Sequence, residues 1–176
     1  MSVRNFLPKG EKMDLPPTKD RCVKLIDGQW QSTGELFDGI MKRINALGPH
    51  GFRALLWHQG ESDVDQAAAN KISADDYRGK LETIIKTSKS QAGWDFPWFV
   101  AEVSYHPGSP SNPDFRAAQK SLWDHGIALQ GPDTDSLGEE YRAGVHFNEK
   151  GLAAHGKLWA DAVGIYLDKV LESESK

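Results

Sequence analysis

A chain of 176 residues with a net charge of −4 and 39% hydrophobic residues is one domain by length, large enough to bury a core of its own. Charges of both signs are mixed, so there is no basic field for nucleic acid or an anionic membrane, and no apolar run approaches a membrane span. The single cysteine, Cys22, excludes an internal disulfide; beside Val23, Leu25 and Ile26 it reads as a buried structural thiol rather than a nucleophile.

Residues 1–20 carry Pro8, Gly10, Pro16 and Pro17 among many charges, show neither period, and read as an irregular lead-in, either mobile or wrapped on the surface. Cys22 to Ile26 reads as a short strand ended by Asp27-Gly28, and Gly28 to Ser32 as a turn into a helix. With Ser32 or Thr33 as N-cap, Leu36, Phe37, Ile40, Met41 and Ile44 recur at helical spacing until Leu47-Gly48-Pro49 stops them. Ala54 to Trp57 is an apolar run between Gly51 and Gly60, the pattern of a buried parallel strand. After a loop at 64–74, a helix opens at Ser73 or Asp75 with Tyr77, Leu81, Ile84 and Ile85 on one face, and Lys86 to Lys89 finish it.

Trp98 to Ser104 is the second strand, followed by the proline-rich loop Tyr105 to Pro113 and a helix over Asp114 to His125. Ile127 to Gln130 is the third strand. A terminal helix starts near Asn148 with Leu152, Leu158 or Trp159, Val163, Tyr166 or Leu167 and Val170 as its stripe, leaving 173–176 as a disordered tail. Strands alternating with helices imply a parallel sheet in a three-layer α/β/α sandwich, with 21–172 as the carboxyl-terminal portion of a single domain.

In such a sheet, ligands bind in the crevice beyond the carboxyl ends of the strands. His58-Gln59-Gly60-Glu61-Ser62-Asp63 arrives there after the first parallel strand, where it either converges on a substrate or merely caps the next helix. His146 sits two residues ahead of the N-cap Asn148 on a loop mouth anchored by the last helix, placed either as a general base or as a satisfied turn residue. His50, His58, His106, His125, His146 and His155 show no paired metal-ligand spacing, and neither metal nor cofactor is expected.

The word Trp57-His58-Gln59-Gly60-Glu61-Ser62-Asp63 resembles the Trp-x-Gln-Gly-Glu-x-Asn/Asp block of SGNH-type carbohydrate esterases, the sialate O-acetylesterase and acetylxylan esterase group. Glu35 to Met41 looks like the helix before that block, and Gly144-Val145-His146-Phe147 with Gly151, His155 and Gly156 looks like the family's last block. The resemblance, over about residues 34–165, implies an SGNH hydrolase fold of flavodoxin-like topology. It also implies an O-acetylesterase acting on acetylated carbohydrate by a serine acyl-enzyme. By that carry-over His146 is the base, Gln59 offers its amide to the oxyanion, and Glu61 orients the groups around it.

Where the family places an Asp three residues before its His, this chain has Ala143; Asp135, then Asp133, Glu139 and Glu140 are the substitutes, unless Asp133 and Asp135 only build a turn. The family's Gly-Gln-Ser-Asn nucleophile block and its Gly-Gly-Thr segment have no counterpart here, so the nucleophile and the leading strand are expected outside these residues, in a missing amino-terminal segment or a second chain. Activity of this chain alone is then in question. Family members are often secreted or periplasmic, and the sequence itself leaves localisation open.

Two rival readings stand beside this one. Gly60-Glu61-Ser62 follows a strand as in the Gly-x-Ser-x-Gly elbow of α/β-hydrolases, although the fifth position is Val64. In the other, Trp57, Trp94, Trp98 and Tyr105 stack on sugars in a non-catalytic carbohydrate-binding module, where core packing is the alternative use for such aromatics.

Overall fold

The computed structural model describes residues 1–15, 22–64, 71–109 and 111–174. Its centre is the parallel sheet β4 (Leu55–Trp57), β5 (Trp98–Glu102) and β6 (Leu129–Asp133), in that spatial order. Leu55 pairs with Trp98 and Trp57 with Val100; Phe99 pairs with Leu129. Strand β5 is central, so alternate side chains enter opposite layers. Trp98 and Val100 join Phe37, Tyr77, Leu81, Ile84, Phe115 and Leu122 of helices α1 (Glu35–Leu47), α3 (Ala74–Ala92) and α4 (Pro113–Asp124). Phe99, Ala101 and Val103 meet Trp159, Val163 and Tyr166 of α5 (Glu149–Glu174) on the other face. A parallel sheet with helices on both faces is the expected α/β/α sandwich.

The ends of the helices follow local chemistry. Ser73 Oγ accepts from the Asp76 N–H (3.0 Å) at the start of α3, and Asn112 Oδ1 accepts from Asp114 and Phe115 (3.2 Å each) before Pro113 at the first turn of α4. Asn148 Oδ1 accepts from Gly151 N–H (2.8 Å) to open α5, which runs through 173 and 174, positions expected as tail; 175 and 176 lie outside the described residues. The cap of α1 is Gly34 at φ 78°, not Ser32 or Thr33.

Several expectations are corrected. Gln29–Ser32 is strand β3, not a turn into a helix: Asp27 and Gly28 both take positive φ (49° and 76°), the geometry of a tight hairpin turn. β3 pairs antiparallel with β2 (Val23–Ile26) and with β1 (Lys12–Met13) as a small separate sheet. Residues 1–15 are partly inside the molecule, with Val3, Leu7 and Met13 buried in the main core; the rest of the lead-in, 16–20, is outside the described residues, as are 65–70 of the 64–74 loop. The third strand lies two to three residues later than its apolar letters suggest. Ile127 and Ala128 give their N–H groups to Leu122 O at the end of α4, and the strand continues through Gly131-Pro132 at the sheet edge, where proline's missing donor is harmless. Leu56 is 47% exposed because β4 is also an edge strand and α5 covers β5 and β6 rather than β4. Leu152, counted in the α5 stripe, is 61% exposed. Cys22 is buried, and its thiol donates to Glu35 Oε2 (3.6 Å). Among the described residues no helix is long and apolar enough to cross a membrane.

Candidate active site

The chain leaves β4 through a turn that only glycine permits. A Cβ on Gly60 would stand 2.1 Å from the Val103 carbonyl oxygen and 2.8 Å from Gln119 Nε2, so any side chain there pushes the β4 exit off β5. Gln119, fully buried on α4, clamps Val103 by accepting from its N–H and donating to its carbonyl, both at 2.9 Å. The Tyr77 hydroxyl, reaching from α3, donates to the Gln59 carbonyl. Helices α3 and α4, packed on one face of the sheet, therefore fix where Gln59 and Gly60 sit.

Immediately after comes the short helix α2 (Glu61–Val64), whose Asp63 is fully buried. Its carboxylate accepts from Ser2 Oγ, from the Val3 N–H (2.8 Å) and from Gln59 Nε2 (2.7 Å). Gln59 gives its other N–H to the Met1 carbonyl (3.0 Å), and the Met1 ammonium donates to Ser62 Oγ (2.8 Å). The amino-terminal residues are thus stitched to the motif, which explains why they are buried despite their polar, proline-rich surroundings.

A second arm comes from the far end of the chain. Arg142–Ala143 (β7) and His146–Phe147 (β8) form a two-stranded hairpin turned at Gly144, φ 67°, with Ala143 directly across from His146. Arg142 holds it: its guanidinium lies 4.1 Å from the Tyr105 ring centroid and 4.2 Å from that of Phe147, and donates to the carbonyls of Thr134, Leu137 and Val145. His146 is exposed and, among the described residues, its ring makes no hydrogen bond or ion pair. It opens onto a pocket of about 610 Å³ shared with Trp57, His58, Gln59, Glu61 and Ser62 from the first arm, and with Met1, Phe6 and His155. Residues nearly ninety positions apart in sequence therefore line one cavity at the carboxyl end of β4.

A profile for carbohydrate esterases of the sialic acid-specific acetylesterase type matches residues 23–164, most of the chain. The chain belongs to that family. No curated protein and no solved structure matches it.

Two further imidazoles of this family member face the pocket with tautomers set by their hydrogen bonds. Thr134 Oγ1 donates its proton to the Glu102 carbonyl (3.0 Å), so it accepts from His58 Nε2 (3.0 Å), and His58 keeps its lone pair on Nδ1. Trp159 Nε1 donates to His155 Nε2 (3.0 Å), so the His155 proton is on Nδ1. The two rings meet edge to face at 4.8 Å. Burial, and then the Arg142 charge, lower His58 to about 4; burial, His58 and Arg142 lower His155 to about 4. Both pKa values fall below the unfolded value of 6.5. The stability they contribute is therefore complete above that pH and is lost as pH falls from 6.5 toward 4. For His58 the loss is on the order of 3 kcal/mol, and less for the more exposed His155. Urea midpoints measured between pH 7 and 4 should fall more steeply in the wild type than in His58→Phe; parallel curves would refute the assignment.

The carboxylates expected to orient His146 are engaged elsewhere. Asp133 takes a two-pronged pair from Arg116 (2.8 and 2.9 Å). Asp135 accepts from the Ser104 N–H and hydroxyl, the Tyr105 N–H and Arg116, and neither aspartate lines the pocket. Glu139 and Glu140 are exposed on the 3-10 turn Glu139–Tyr141. Sequence reasoning missed Asp63, Tyr77, Gln119 and Arg142 as organisers of the candidate site. Only Asp63 carried a signal, as the last letter of its block. Trp57, Trp98 and Tyr105, considered as sugar platforms, are buried, and Trp94 packs on Phe52 and Phe96. Among the described residues no cluster of potential metal ligands is present.

Proposed function

We propose that this esterase removes O-acetyl groups from a sugar or polysaccharide by a serine acyl-enzyme mechanism, with the nucleophilic serine carried outside these residues. The observation that supports this is the single pocket joining the Gln59-Glu61 arm to His146. In the reaction a serine hydroxyl adds to the acetyl carbonyl as His146 takes its proton. The bond from carbonyl carbon to sugar oxygen then breaks, His146 returns the proton to the leaving oxygen, and water repeats the sequence on the acyl-enzyme. Gln59 gives the oxyanion the N–H it lends to the Met1 carbonyl, while Asp63 retains the other; such a donor contributes on the order of 3 kcal/mol in the transition state. Glu61 stands beside it in the pocket, and Asp135 acts through the Tyr105 main chain and the Arg142 that stacks on that ring.

Ser62 lines the same pocket as His146, which favours a second reading in which Ser62 is the nucleophile. Acetate release from an O-acetylated xylan, assayed on the longest natural form of the polypeptide, decides between them. The first reading expects the wild type and Ser62→Ala to release acetate alike. Loss on Ser62→Ala, with a fluorophosphonate label on Ser62 in the wild type, would establish the second. Sugar binding without acetate release from any form would reduce the domain to a carbohydrate-binding module.

A further inference from the structure

Within the pocket, two hydrogen-bond acceptors stand 3.9 Å apart. His58 presents the Nδ1 lone pair, because its only proton is held at Nε2 by Thr134. Glu61 presents Oε1, while its Oε2 accepts from the Gly60 N–H (3.1 Å). The two atoms are 3.9 Å apart, too far for a mutual hydrogen bond, and a neutral imidazole nitrogen without a proton cannot donate to a carboxylate in any case. Both side chains keep about a fifth of their surface open, 22% and 19%, so a ligand can reach them. Phe147 and His155 pack against the His58 ring at 5.8 and 4.8 Å and prevent it from turning away. Phe6, Leu56 and Phe147 give the same pocket apolar walls suited to the C–H faces of a sugar ring.

Two acceptors at this spacing call for two donors on neighbouring atoms. Adjacent ring hydroxyls of a sugar have oxygens about one hydrogen-bond length apart, and each can give its proton to one of the pair. We propose that His58 Nδ1 and Glu61 Oε1 form a hydroxyl-reading pair that selects sugars bearing two free vicinal hydroxyls. The inference rests on the acetylesterase reading for its place in catalysis, but its binding consequence is independent of activity. A sugar methylated or acylated at both hydroxyls leaves the two acceptors desolvated and unpaired, which a site built for hydrogen bonding rejects strongly.

The test is the imidazole nitrogen spectrum of the ¹⁵N-labelled chain, titrated with methyl β-D-xylopyranoside and with its tri-O-methyl derivative. The free glycoside should move the His58 Nδ1 resonance, the methylated one should not, and Glu61→Gln should weaken the apparent affinity at least threefold. An unmoved resonance, or equal movement with both glycosides, overturns the pair. Acetate assays on the longest natural form then separate the two ideas. If the glycoside moves His58 but no acetyl ester is cleaved, the reaction falls and the pair stands. If acetate is released but His58→Phe lowers kcat/KM equally for an acetyl xyloside and for p-nitrophenyl acetate, the pair falls and the reaction stands. The expected result is a ratio of the two kcat/KM values reduced at least tenfold.

Discussion

Changing His146 to alanine is expected to lower kcat on an O-acetylated sugar by roughly 10²–10⁴-fold, the usual contribution of a positioned general base. Folding should be unaffected, because the ring is exposed and makes no hydrogen bond among the described residues. Thermal midpoints of His146→Ala and wild type should therefore coincide, which separates lost chemistry from lost structure. The vacated space opens onto a pocket of about 610 Å³, so added imidazole should restore part of the rate. The hairpin register makes a complementary prediction. Ala143 lies across from His146 in the β7-β8 pair, and side chains directly opposite one another on such a pair interact. A carboxylate at 143 would reach the ring from the position where the family commonly carries Asp. Ala143→Asp is expected to raise kcat several-fold, with His146→Ala abolishing the gain. A His146→Ala enzyme with full activity would remove the imidazole from the mechanism altogether.

The parts of this fold that were legible in the sequence are those whose side chains repeat with the period of their own element. Tyr77, Leu81, Ile84 and Ile85 all fall inside the core from α3, and Trp98 to Ala101 fill both faces of β5. What escaped was set by contacts between distant residues. Val3 and Leu7 have no periodic neighbours, and they are buried because Asp63, some sixty positions later, captures the preceding backbone. Gln29–Ser32 alternates too weakly to announce a strand, and it becomes one because two positive-φ residues fold it back on β2. The candidate pocket was legible as two motifs, Gln59-Gly60-Glu61 and His146, which share one lining, whereas Asp135 lies outside it. That aspartate is closer in sequence to His146, yet four donors from Ser104, Tyr105 and Arg116 claim its oxygens. Proximity along the chain is a poor guide when a cation and several main-chain donors compete for the same carboxylate.

Asp63→Ala should be the most destabilising single change in the motif, by about 3–5 kcal/mol, which is the range for breaking a buried charged network by removing one partner. Three donors, Ser2 Oγ, Val3 N–H and Gln59 Nε2, would lose their acceptor inside the protein, each at about 1–3 kcal/mol if it finds no other. At this chain length the thermal midpoint should fall by roughly 8–15 °C. Asp63→Asn separates charge from hydrogen bonding. The asparagine oxygen can take the Oδ2 place, accepting from Val3 and Gln59, while its NH₂ donates to Ser2 Oγ, a hydroxyl able to reverse its role. That swap should cost only about 1 kcal/mol, and it gives a physical reason for an Asn/Asp alternative at the end of the Trp-x-Gln-Gly-Glu-x block. Burial pushes the Asp63 pKa up, so its ionised form opposes folding and stability gains as pH falls through the folded value; the asparagine variant should lose that component. The same comparison reads out catalysis. Asp63→Asn keeps Gln59 aimed and should retain most of kcat, whereas Asp63→Ala should lose kcat even well below its melting temperature. Equal damage from the two substitutions would mean that the negative charge, rather than the hydrogen-bond geometry, is what fixes Gln59.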